Sequence, residues 1–368
     1  MKKRVEAMMK AVAAAGVIIT ALVLAGCVGR GQDEARTGPR VFAAYDYESP
    51  EADRIPPLSG RYLLTLDDAD PPFEGYPDDR RKPPTSNAGD TLTVMGLPLG
   101  QGEALPVAQV DLGTCVAGPN QPMALSADGS FALVLVYEDG FPQTLSPRSG
   151  GMVAATGVAP IDLSDPLNPV VGEVFPFAEE TGALTVAIRP QGDVALVGCQ
   201  QSEEIVVLLL DGPRIVGEAA WPVFGNDAEP KRPTSIQWHP SGRGFAVCMA
   251  GYRHVAFFSF VRQGANDMIE IHRWGDPVQA GPYPFTGVFS PDGEYFFSTD
   301  LAWSFRTGWF ESASVGFVSV YKVDQIMEPG ARHERIGSVS VGRSPTSIAV
   351  SPDGSLIVVG NVEGGQIG

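Results

Sequence analysis

Ser344-Pro345-Thr346-Ser347-Ile348-Ala349-Val350-Ser351-Pro352-Asp353-Gly354-Ser355, with the apolar run 356–359 behind it, decides the fold. A short β-branched strand ends at Ser-Pro, Asp-Gly makes a tight turn, and a second apolar strand returns. Proline cannot donate to a ladder, so it stands at the strand end. Glycine supplies the positive φ such a turn requires. The phrase recurs at residues 233–242 (Pro-Thr-Ser-Ile-Gln-Trp-His-Pro-Ser-Gly), followed by 245–247, and at 286–293, followed by 295–297. Weaker copies stand at 184–192 and 122–129, and a sixth, degenerate one at 59–64.

The turn glycines at 129, 192, 242, 293 and 354 are 63, 50, 51 and 61 residues apart. Each interval has room for two more strands: 205–210 with 215–221, 255–261 with 268–274, and 316–323 with 335–341. No helical periodicity interrupts them. Four strands per repeat with one phrase at the same place in each unit predicts an all-β fold, a β-propeller of four-stranded blades. A β-sandwich would leave that recurrence unexplained. Six units are readable, so the expected count is six blades, with seven the alternative. In the last unit two strands are still to come at residue 361, so the last blade is expected either to be incomplete, the sequence being a fragment, or to be closed by residues 40–47 (Arg-Val-Phe-Ala-Ala-Tyr-Asp-Tyr).

These phrases resemble the YVTN-type propeller repeat. Ile161-Asp162-Leu163-Ser164-Asp165-Pro166-Leu167-Asn168-Pro169-Val170-Val171-Gly172 resembles the LVIVD type. The resemblance covers roughly residues 59–361 and points to the lactonase-like and amine-dehydrogenase-like propeller superfamily. It implies that ligands bind on the face carrying the loops between second and third strands and the connections between blades. The Asp-Gly turns then lie on the opposite face, which makes Asp128, Asp292 and Asp353 turn formers rather than catalysts.

The first 26 residues read as an export signal. Lys2, Lys3, Arg4 and Lys10 precede the uncharged stretch 11–24, too short for the roughly 20 residues a membrane span needs. Leu24-Ala25-Gly26-Cys27 resembles the lipobox of bacterial lipoproteins, which implies lipid attachment at Cys27 and a cell-envelope location. Val28 after the cysteine favours the outer membrane by the same resemblance. The expected organisation is a signal peptide at 1–26, a tether at 27–39 and the propeller at 40–368. With four basic and one acidic residue removed, the net charge of −17 becomes about −20. That excludes nucleic acid and anionic lipid as natural partners.

The candidate ligand-face loops are long. Residues 67–90 bring Asp67, Asp68 and Asp70 with five prolines. Residues 138–151 begin at Glu138, and residues 300–316 hold Asp300, Trp303, Arg306 and Trp309. The acidic loop has the oxygen donors calcium wants but not the spacing of an EF-hand. No cofactor is otherwise evident, and the solvated, proline-stiffened loop is the plainer reading. The aromatic loop can stack on a sugar or a peptide, or cap its neighbouring blade.

Catalytic signatures are missing: no Cys-x-x-Cys-His, no Gly-x-Ser-x-Gly, no phosphate-cradling glycine loop, no His-Glu-x-x-His. Of four histidines, His239 takes the turn position that Ser or Arg holds elsewhere, and His254 and His272 flank strands of one blade where they could meet. Cys199 and Cys248 are expected to be buried free thiols, with Cys115 at a blade junction. The expectation is a binding or scaffold protein for a protein, peptide or glycan partner. A lactonase-like hydrolase with a metal or polar site is the alternative. Carboxylates, Arg or His at the axis would favour the enzyme, and small or apolar residues the scaffold.

Overall fold

The computed structural model describes residues 62–67, 91–96, 106–113, 121–136, 155–178, 181–222, 232–263, 268–301 and 315–361. Every regular element among them is a β-strand, and the strands form six antiparallel sheets in chain order. The first holds β1 (Tyr62–Asp67), β2 (Thr91–Gly96) and β3 (Pro106–Asp111). The second holds β4 (Met123–Leu125), β5 (Phe131–Val136), β6 (Gly157–Asp162), and an outer strand split into β7 (Val170–Val171) and β8 (Phe175–Pro176). The third runs β9 (Ala183–Ile188), β10 (Val194–Cys199), β11 (Glu204–Asp211), β12 (Arg214–Pro222). The fourth runs β13 (Pro233–Trp238), β14 (Gly244–Met249), β15 (His254–Gln263), β16 (Met268–Arg273), with β17 (Val278–Gln279) also on β15. The fifth runs β18 (Pro284–Phe289), β19 (Tyr295–Asp300), β20 (Val315–Lys322), β21 (Glu334–Arg343), and the sixth β22 (Pro345–Val350) and β23 (Ile357–Asn361).

The first strands β4, β9, β13, β18 and β22 touch in succession, so they converge on an axis and the sheets radiate from it as blades. This is a β-propeller. Five blades are counted by a described axial strand, one fewer than the six turn phrases suggest. The sheet β1–β3 begins with the strand that follows the Ser59-Gly60 turn, and what precedes it lies outside the described residues. The expected closing strand at 40–47 lies outside them too, as do the signal peptide and tether.

Burial follows from radial geometry. A second strand is sandwiched between two neighbouring blades, so both its faces must be apolar. Accordingly β5 (FALVLV), β10 (VALVGC) and β14 (GFAVCM) are buried at every position. Outer strands meet solvent, and β12 (RIVGEAAWP) is exposed or half-buried throughout. Each consecutive pair of sheets shares one apolar layer. Leu133, Leu135 and Val158 pack on Val186, Val197 and Leu208. Leu196, Val207, Trp238 and Phe258 form the next, and Phe257, Trp274, Phe296 and Tyr321 the one after. Cys199 and Cys248 sit in these layers as free thiols, and burial pushes the Cys199 thiol up to about 12.

The Asp-Gly turns behave as read from the sequence. Asp353 Oδ1 accepts from Ser351 Oγ (2.6 Å) and Ser355 N (3.1 Å), and Asp292 Oδ1 accepts from Ser290 Oγ (2.5 Å) and Glu294 N (3.0 Å). Asp128 repeats the pattern with Ser126 and Ser130. In Asp128 and Asp353 these bonds to the ionised carboxylate lower the pKa, in Asp353 to about 2. His239 substitutes for the serine: its Nδ1 accepts from Ser241 N at 3.2 Å while its ring wedges between Trp274 and Phe289.

Candidate functional site

The site grows from an irregularity shared by the axial strands. Pairing between β13 and β14 skips Thr234, and between β22 and β23 it skips Thr346. The β9–β10 ladder skips Leu184, and β18–β19 slips between Pro284 and Gly287. Each is a bulge one or two residues into the strand, where a leading Pro233, Pro284 or Pro345 cannot donate. Three of the strands are entered through a left-handed residue: Gly182 (φ 66°), Arg232 (φ 46°) and Ser344 (φ 50°). Two of those are not glycine, a strain that only an over-determined setting keeps.

A bulge frees backbone groups for other blades. The freed Leu184 carbonyl accepts from Gln121 N (3.3 Å), and Gln121 O accepts from Val186 N (3.1 Å), forming a parallel bridge between blades. So anchored, the Gln121 side chain reaches along the axis. Its Oε1 accepts from Thr185 Oγ1 (3.2 Å), Ser235 Oγ (3.3 Å) and Gln237 Nε2 (2.9 Å), taking side chains from two other blades onto one oxygen. Thr185 Oγ1 also accepts from Ile236 N at 3.3 Å. Thr185 and Ser235 are closed off at 0% and 1% exposure, whereas Gln121 and Gln237 are half-buried. Among the described residues no hydrogen bond reaches Gln121 Nε2 or Gln237 Oε1. The half-buried Gln121 and Gln237 thus keep a donor pair and an acceptor without a partner among the described residues, beside groups that cannot titrate. The arrangement can bind a neutral ligand through hydroxyl or carbonyl groups, and it holds no acid, base or nucleophile of its own.

A second polar cluster lies between the fourth and fifth blades. Asp300, at the end of β19, has 0% exposure. Its Oδ1 accepts from Gly281 N at 3.1 Å, and its Oδ2 from Ser319 Oγ, which in turn accepts from Arg335 Nε at 3.0 Å. Ser298 and Tyr321 join at 3.1 Å nearby. Burial raises the Asp300 carboxyl to about 6 against the lowering by Ser319, Arg335 and Gly281. The sequence reading counted Asp300 among ligand-face residues. The structure places it at the closed base of that loop, facing protein on every side.

Of the other candidates, Asp67 ends β1. Cys27, Asp68, Asp70, Cys115, Glu138, Trp303, Arg306 and Trp309 lie outside the described residues. Among the described residues no group of three or more His, Cys, Asp or Glu is gathered as metal ligands would be. His254 and His272 do not meet. His254 begins β15 and its Nδ1 lies 2.5 Å from the Tyr252 carbonyl oxygen, whereas His272 stands opposite Ser259, five residues further along. His333, passed over in the sequence, is structural: Nδ1 accepts from Asp324 N (3.2 Å) and Nε2 donates to the Trp274 carbonyl (2.5 Å). Gln121 and Gln237 were missed as well. Gln237 carried a signal, since it is an amide where the other phrases have Ala187, Val288 and Ala349.

Fold and site together define a β-propeller whose axis is plugged by a neutral polar cluster. No family model matches the chain, and no curated protein matches it in sequence. Solved structures do. A protein described as a candidate 6-phosphogluconolactonase from Bacteroides fragilis NCTC 9343 superposes with TM-score 0.56 at 13% identity, over 83% of this chain and 76% of that one. A functionally unknown protein from Desulfotomaculum acetoxidans DSM 771 gives TM-score 0.48 and 15% identity over 71% of this chain, which spans only 65% of that protein's length. The periplasmic gluconolactonase of Pseudomonas aeruginosa gives 0.47 and 14%, over 78% and 69%. At such identities the likeness shows the fold alone, a β-propeller.

Proposed function

We propose that this chain is a lipid-anchored cell-envelope propeller of six blades that binds a neutral, polyhydroxylated ligand, a glycan end or sugar lactone, at its axis without transforming it. The observation that carries the reading is the Gln121 cluster. Donors from two blades converge on an amide oxygen of a third, while the half-buried glutamines keep an amide N–H pair and an amide carbonyl without a partner among the described residues. Sugars present neutral donors and acceptors in alternation, which such amides match. Among the described residues the axis holds neither the carboxylates and histidines of an acid–base site nor the small apolar plug of a bare scaffold. The envelope location and anchor rest on the basic start, apolar core and Cys27 of the first 27 residues. The sixth blade rests on the sheet β1–β3.

The test uses the full chain in detergent, with D-glucono-1,5-lactone, its hydrolysed acid and maltotriose as probes in calorimetry and thermal shift. Binding of lactone or maltotriose that is lost in both Gln121→Ala and Gln237→Ala, with lactone hydrolysis at the uncatalysed rate, bears the reading out. Hydrolysis above that rate would establish the hydrolase instead. Indifference to every probe would sink the axial site. Calcium alone is a separate arm: a shift abolished by replacing Asp67, Asp68 and Asp70 would assign the cation to that loop.

A further inference from the structure

The outer rim carries a second binding site. In β6, Pro160 pairs with Leu133 of β5 on one side and turns its carbonyl toward the rim, where Gly172 N donates to it at 2.8 Å. The N–H that should answer from Pro160 does not exist, so the outer strand cannot run through and splits into β7 and β8. At the split Val174 turns inward onto the apolar layer shared with the first sheet. Gly172 is required there, because a Cβ would stand 2.9 Å from Pro160 Cγ. The break leaves a groove of about 550 Å³ between this rim and the β11–β12 hairpin tip of the next blade. Its apolar lining includes Pro160, Val170, Phe175, Pro213 and Ile215, and Val170 is 59% exposed.

Charge chooses the occupant. Asp162 and Glu173 line the groove as carboxylates. Asp162 stays ionised, its pKa lowered first by the hydrogen bond from Ser164 N. Among the described residues of the lining the one cation, Arg214, is already paired with Asp211. The chain as a whole carries −17. Shape agrees: among the described residues no strand pairs with the outer edges of β7, β8 or β12, so each offers unpaired backbone groups. We propose that this groove binds an extended peptide segment of a partner protein, its backbone adding to the β7–β8 edge, one Lys or Arg between Asp162 and Glu173, and apolar residues on either side. Nothing in the axial reading is needed for this.

The experiment is fluorescence anisotropy on the full chain in detergent, with two acetylated nine-residue peptides of alternating Val and Thr. One has a central Lys, the other a central Glu. The Lys peptide is expected to bind, and the Glu peptide roughly tenfold more weakly. Asp162→Asn, which keeps the acceptor for Ser164 N, combined with Glu173→Gln should weaken the Lys peptide by roughly threefold to tenfold and flatten its salt dependence. Val170→Asp, at an exposed position, should weaken the apolar contact in a folded protein. Gln121→Ala should leave peptide binding unchanged. Equal affinity for both peptides, no binding of the Lys peptide, or insensitivity to the carboxylate substitutions would each overturn the proposal. So would loss of binding in Gln121→Ala, which would move the peptide to the axis.

Discussion

The Gln121 cluster joins side chains 64 to 116 residues apart and the Asp300 cluster groups 16 to 23 apart, and the two are built oppositely. At the axis one amide oxygen is surrounded by neutral donors, and the two glutamines stay half-open. At Asp300 a carboxylate is closed in completely and held by Gly281, Ser319 and, through Ser319, Arg335. A charge sealed among fixed partners welds two blades together and has nothing left to offer a ligand. Neutral amides are cheap to leave partly unsatisfied beside water, so they can stand ready at an opening. The titratable residue is therefore structural here and the bland amides are the candidate binders, the reverse of what residue type alone suggests.

The sharpest way to break this contrast is Asp300→Leu. It leaves the Gly281 N–H and the Ser319 hydroxyl without their acceptor in a closed space, and should cost about 2–4 kcal/mol in urea unfolding. Asp300→Asn separates charge from shape. With its carboxyl raised to about 6, the folded chain holds that proton more tightly than the unfolded chain. This group's contribution to stability therefore falls as pH rises from about 4 to 6, by about 3 kcal/mol, and stays flat above. The Asn variant should lose that slope. Identical pH profiles for variant and parent would mean the carboxyl is not buried as described.

His333 should show the opposite sign. Burial lowers its pKa, so its contribution is complete above 6.5 and is lost as pH falls below that value. His333→Phe keeps the ring contact with Phe257 but strands the Trp274 carbonyl and Asp324 N–H, for about 2 kcal/mol. A pair of glycines then compares turn with axis. Gly192→Ala meets no atom within 4 Å and pays only for φ of 75°, about 1 kcal/mol, with ligand binding unaltered. Gly198→Ala puts its Cβ 2.5 Å from Thr185 Cγ2 and 3.1 Å from Ile236 Cδ1, so it should cost about 1–3 kcal/mol and disturb axial binding too. The smallest stability effect is expected for Gln121→Ala, about 1 kcal/mol, since Gln121 is itself half-open and its truncation admits water to the Thr185 and Ser235 hydroxyls. That variant should nevertheless abolish axial binding. If its stability loss were the larger and its binding intact, the two clusters would be the same kind of object.

How far these features could be read in advance differs by their range. The Ser-Pro-Asp-Gly phrases are local: proline's missing donor, glycine's positive φ and the capping aspartate act within five residues. Turns, strand order and the propeller were therefore legible from residues such as 351–355. The apolar runs 131–136 and 194–197 announced returning strands, and the structure buries them on both faces. His239 could be placed because it sits inside that same turn grammar. The axis could not be read. Gln121 meets Ser235 and Gln237 across more than a hundred residues, and only the closing of blades about a common centre makes them neighbours. The same holds for Asp300, which looked like the start of an exposed loop until β20 and β21 folded over it. Hydrogen-bond patterns inside a turn are set by the chain's own stereochemistry. Which polar side chains end up sealed and which face an opening is decided by the packing of whole sheets, and in this protein that packing divides the residues that hold the ring together from those that can meet a ligand.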